Sequence, residues 1–89
     1  MISLEDMIGL CGLTEDEVDA IAEHEHIPEV AAAALGAYLL HKEHGPEDIR
    51  GMICDDIRDA TKAGDFEHAA KLAMALRHFM ETYGETIRV

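Results

Sequence analysis

The chain has 89 residues and carries 19 acidic against 7 basic side chains, a formal net charge of −12, with 48% hydrophobic residues, two Phe, two Tyr and no Trp. That length supports one domain with one thin core, and that apolar share excludes an intrinsically disordered chain. The charge argues against nucleic acid and anionic membrane as partners, since both demand a basic footprint, and leaves a basic protein surface or a cation.

The opening MISLEDMIGL has no basic residue ahead of its apolar run, and the run is too short for a leader or a membrane span, which predicts a cytoplasmic protein. Ser3 is placed to cap a short first helix ending near Gly12. Thr14 followed by Glu17 is a capping box, predicting a second helix through about His26 with Asp16 and Glu17 at the positive end of its dipole. Pro28 starts a third helix, which runs to His44, where Gly45-Pro46 gives a stop and the next start. The fourth ends at Gly64. Asp65 caps the last, which runs to about Tyr83 before Gly84. Residues 1–84 then form a single domain, and the tail 85–89 is expected to fray. With no period-2 alternation, repeat or linker, the expected fold class is all-α, a compact bundle of four to five short helices.

Apolar stripes run along the later helices, one of Ile49, Met52, Ile53, Ile57 and Ala60, the other including Ala69, Leu72, Ala73, Leu76, Phe79 and Met80. The 28–44 helix is apolar nearly all round, with VAAAALGAYLL at its centre, and reads as the central element. Ala32 with Gly36 and Ala33 with Ala37 are small residues four apart that allow close approach of another helix, and a dimer contact is expected there. A core poor in aromatic anchors also argues for a homo-oligomer, most simply a dimer.

MIGLCGLTEDEVDAIAEH has the outline of a helix-turn-helix. Its charge argues against DNA, since Thr14 to His26 carries six acids and no Lys or Arg. Metal is a better match for the six histidines, four of which lie among carboxylates in EHEHIPE and HKEHG. Glu23 and His26 have the Glu-x-x-His spacing of di-iron carboxylate bundles. In helical projection, however, Glu23 points away from the apolar side made by Val18, Ile21 and Ala22, and Glu25 aligns with it. The same projection puts His41 in line with Val30, Ala34 and Ala37, and Asp56 among Ile53, Ile57 and Ala60. Glu25, His41 and Asp56 are therefore the predicted ligands of a divalent transition metal of the iron or zinc type, with Glu29, His26 and His44 next in line.

The plainer reading pairs inward acids with Arg50, Arg58 or Arg77, or with Tyr38, and makes His41 a hydrogen-bonded core histidine. His68 and His78 project away from their stripe as surface groups. His24 and His26, flanked by Glu23, Glu25 and Glu29, would favour protonation and suggest a pH-sensitive interface. Cys11 and Cys54 have neither zinc-knuckle nor redox spacing and read as buried thiols. There is no phosphate loop or nucleophile elbow, and a bundle of this size offers little room for a substrate cleft, so the chain reads as non-enzymatic.

The segments GLTEDEVDAIAEHEHIPEVAAAALGAYLLH, IRGMICDDI and LRHFMETY resemble a family of short bacterial helical proteins without assigned function. The resemblance covers most of the chain, implies a bacterial cytoplasmic origin, and carries over no activity and no catalytic residue. The residues favour a self-associating protein-interaction module that offers an acidic N-terminal surface to a basic partner, and next to it a metal-binding bundle.

Overall fold

The Thr14 hydroxyl accepts from the Glu17 amide at 3.3 Å and the Glu17 carboxylate accepts from the Thr14 amide at 2.9 Å, so helix α1 (Glu15–Glu25) begins where its capping box lies. It ends where His26 turns left-handed at φ 56°, with the Ile27 amide reaching back to the Ala22 carbonyl at 3.1 Å. Helix α2 (Glu29–His41) follows Pro28, and α3 (Gly45–Lys62) has Pro46 in its first turn. Helix α4 (Phe66–Tyr83) is capped by the Asp65 carboxylate on the His68 amide at 3.2 Å. Gly64, at φ 77°, makes the same closure after α3 that His26 makes after α1, the Asp65 amide bonding the Ala60 carbonyl at 2.9 Å.

The computed structural model describes residues 3, 6, 9 and 11–87. Ahead of α1 the Ser3 hydroxyl accepts from the Asp6 amide at 3.1 Å, and Asp6, Gly9 and Cys11 have helical backbone. Residues 4, 5, 7, 8 and 10 of the predicted first helix lie outside the described set. Among the described residues there are four α-helices and no strand, and no helix is long and apolar enough to cross a membrane.

Helices α3 and α4 form a hairpin; α1 packs on α2, α3 and α4, and α2 packs on α1 and α3. Val18 and Ile21 of α1, Ile49 and Ile53 of α3, and Phe79 of α4 meet in the core with no exposed surface. Each such side chain contributes about 1.5–3 kcal/mol by leaving water, which makes these contacts the main cohesion between helices. The molecule measures 40 × 32 × 19 Å.

Three expectations are corrected. Residues 28–44 are not the central helix: α2 stops at His41, and Val30, Ala31, Ala34 and Tyr38 are exposed. An alanine-rich helix is apolar on every side, yet each methyl is too small to demand burial, so hydropathy alone overstates how enclosed it is. The early stop follows from the corner. Lys42 is extended, His44 is left-handed at φ 64°, and Gly45 comes so close to the Leu39 carbonyl that a Cβ there would overlap its oxygen. Ala73, expected on the inner stripe of α4, is exposed. The tail expected to fray from residue 85 is tied down through residue 87, with a 3-10 turn over Gly84–Thr86 and Ile87 buried in the core.

Candidate functional site

The C-terminal end of α1 meets the middle of α3 at His24. Its Nδ1 lies 3.0 Å from Glu25 Oε2 and its Nε2 lies 3.2 Å from Asp55 Oδ2. A neutral imidazole has one N–H and a carboxylate only accepts, so both contacts are hydrogen bonds only when the ring carries two protons. Burial opposes that charge, but the bonds to Glu25 and Asp55 and the charges of Asp56 and Glu25 outweigh it, and the pKa of His24 is raised. Asp56 stands on the inner face of α3, 3% exposed, with Oδ2 buried and without a hydrogen-bond partner. Burial first, then the charges of Glu23, Asp59 and Asp55, push its carboxyl up to about 6 against the opposing charge of His24. Glu23 reaches the other way, to Nε2 of His68 on α4.

The start of α1 is fastened in the same manner. Glu17 is 1% exposed, and while its Oε1 serves the capping box, its Oε2 lies 2.9 Å from Nδ1 of His78 on α4. That bond is the leading cause of a raised pKa at His78, ahead of the Glu17 charge. On the flank facing α2, the charge of Asp19 is the leading cause of a raised pKa at Glu29.

Glu25, His41 and Asp56 are not brought together. Asp56 is buried as expected, but Glu25 closes α1 at an exposed position with its carboxylate on His24, and His41 is exposed with Nδ1 2.8 Å from the Ala37 carbonyl oxygen. His41 does share a line with Val30 and Ala34; that line faces outward. Glu25 aligns with Val18 and Ile21 but lies at the last turn, where the chain leaves the helix. Glu29 stands beside Asp19, His26 is the exposed left-handed cap of α1, and His44 is exposed, 3.0 Å from Glu47 and 3.7 Å from Glu43. Among the described residues no three His, Cys, Asp or Glu side chains form a group able to hold a metal ion. Among the described residues no arginine pairs with Asp56: Arg58 bonds Asp55 at 3.3 Å and Arg77 bonds Glu81 at 3.2 Å.

The small-residue face of α2 is likewise used inside the chain. Ala32, Ala33 and Gly36 are buried, Ala37 is half-buried, and Gly36 lies against Leu13 and Ile21, so this face receives α1 and the turn before it and is not open to a second copy. What α2 leaves open is the line Val30, Ala34, Tyr38 and His41. Cys11 is buried and Cys54 half-buried.

Spacing gives no signal for the pairs that matter here, because the acids on α1 find their histidines 45 and 61 residues away, on side chains that leave the apolar stripe of α4. A cleft of about 410 Å³ at the α2–α3 corner, lined by residues such as Leu40, Lys42, His44 and Tyr83, is open to solvent and contains neither buried acid, Glu17 or Asp56. No protein-family model, curated protein or solved structure matches the chain.

Proposed function

We propose that the chain is a non-enzymatic protein-interaction module that self-associates through the outward line of α2 and leaves the acids of α1 to a basic partner. The observation that carries this reading is the pair Val30 and Tyr38, 48% and 63% exposed, each one turn from Ala34. Between Glu29 and His41 the helix carries no charged residue. Large apolar side chains held in water on an uncharged strip favour a protein contact, and the strip is where two molecules of charge −12 approach with least repulsion.

The strip is self-complementary. Val30 and Tyr38 are equally spaced about Ala34, so two α2 helices crossing antiparallel on a two-fold axis at Ala34 set each Val30 against Tyr38 of the partner subunit. The small Ala31 and Ala34 allow an axis separation at the short end of the usual range of about 8–10 Å. Glu15 and Asp16 remain exposed on α1 for a basic surface.

Light scattering with sedimentation equilibrium, at concentrations on the order of 10 µM, tests the reading. The expected mass is that of two chains, reduced to one by Ala34→Glu or Tyr38→Glu with helicity unchanged. A monomeric wild-type protein across that range overturns it.

A further inference from the structure

Helix α1 is the most acidic element of the fold, yet among the described residues no Lys or Arg ties it to the α3–α4 hairpin. Their ion pairs stay within one helix or its adjoining turn: Arg58 with Asp55, Arg77 with Glu81, Lys42 with Asp48. Three side-chain hydrogen bonds join α1 to the hairpin, and each sets a histidine against a carboxylate: His24 on Asp55, His68 on Glu23 and His78 on Glu17. We propose that α1 is a proton-operated helix, seated on the α3–α4 hairpin while His24 and His78 are cationic and loosened from it when they lose their protons.

The two do not respond alike. His24 has carboxylates on both ring nitrogens, so its neutral form must set a lone pair against one of them and one bond is lost outright. A neutral His78 keeps one N–H to donate but loses the charge that strengthens its bond, which leaves the buried Glu17 carboxylate without a cation. The charged groups around the seams of α1 are mostly acids. From α3, Asp55, Asp56 and Asp59 face the end of α1 that carries Glu23, His24 and Glu25. From α4, His68 and Lys71 line a shallow groove with Asp16, Asp19 and Glu23 of α1, and Glu81 lies near His78. From α2, Glu29 adds a further carboxyl beside Asp19. Apart from Lys71 and Arg58 these are acids, so proton loss leaves carboxylates facing carboxylates across both seams of α1. The raised pKa values of His24 and His78 act in the same sense, because the seated helix holds the protons more tightly than a released one.

Amide hydrogen exchange on the intact protein, expressed as protection factors to remove the intrinsic pH dependence, tests this between about pH 5.5 and about pH 8. Protection of the α1 amides should fall by about tenfold or more on going to the higher pH, while the α3–α4 hairpin, an internal reference, loses less. His24→Gln should flatten the α1 response without altering that of the hairpin. Equal losses in α1 and the hairpin overturn the proposal. A wild-type His24 that nitrogen NMR shows singly protonated at about pH 5.5 also overturns it, and that measurement needs no variant to fold. All three bonds lie within one chain, so the result does not depend on whether α2 pairs with a second copy.

Discussion

Glu17 and His78 are 61 residues apart in sequence and 2.9 Å apart in space. Glu17 thus performs two tasks with one carboxylate. One oxygen completes the cap that starts α1, and the other fixes that start to α4. Local helix chemistry and tertiary docking meet at a single buried acid, which makes its substitutions informative.

Glu17→Ala removes the reciprocal cap bond and the acceptor for His78 together, and should lower unfolding stability by about 1–3 kcal/mol in urea titrations. Glu17→Gln keeps an acceptor for the Thr14 amide and should cost less. In both variants the pKa of His78, followed by proton NMR, should fall back toward its ordinary value, because the leading cause of its rise is gone.

Asp56 gives a prediction with a definite sign. Its carboxyl stands at about 6 in the folded chain against an ordinary 3.8, so the folded state holds the proton more tightly than the unfolded one. The stability this contributes is complete below the unfolded value and is lost as pH rises through about 6, an effect of about 1–3 kcal/mol. His24, raised above 6.5, extends the decline to higher pH in the same sense. Urea midpoints should therefore fall from acidic to neutral pH. Asp56→Asn, which buries no charge, should raise the midpoint at neutral pH and flatten the slope below about pH 6. An unchanged slope would show that the carboxyl is not the group responsible.

Two glycines of α3 should respond oppositely to alanine. At Gly45 a Cβ would overlap the Leu39 carbonyl oxygen, a backbone atom that cannot turn aside, so Gly45→Ala should lower stability by about 1–3 kcal/mol or more. Gly51 is exposed with nothing near its missing Cβ, so Gly51→Ala should raise stability by about 0.5–1 kcal/mol. Thermal unfolding of the two variants in parallel checks both.

The Tyr83 hydroxyl donates to the Gly12 carbonyl, and its ring stands 5.1 Å from that of Phe79. Tyr83→Phe keeps the ring contact and removes only the hydroxyl, and should cost about 0.5–1.5 kcal/mol in the same urea assay.

Much of the fold was legible because its helix ends are written in single residues. Thr14 with Glu17, Pro46, Gly64 and Asp65 each act where local chemistry puts them, and Asp56 lies on the buried side that its apolar neighbours indicate. The errors fall where the sequence carries no phase. Along VAAAALGAYLL every side is apolar, so nothing local decides which side is covered, and the choice is made by Leu13 and Ile21 seating against Gly36. His68 and His78 gain their roles from acids on another helix, which no periodicity within α4 reveals. Ile87, just beyond the last glycine, follows Glu85 and Thr86 in a segment too short to show a period.

Among the described residues, His26 and His44 sit at the two corners where a non-glycine residue has positive φ, 56° and 64°. Alanine accepts that backbone reluctantly, whereas glycine and asparagine enter it readily. A mutational survey that swaps each histidine for alanine in search of an imidazole function would record losses at these two positions that come from the turn itself. Pairing each alanine with a glycine separates a strained corner from a missing ring.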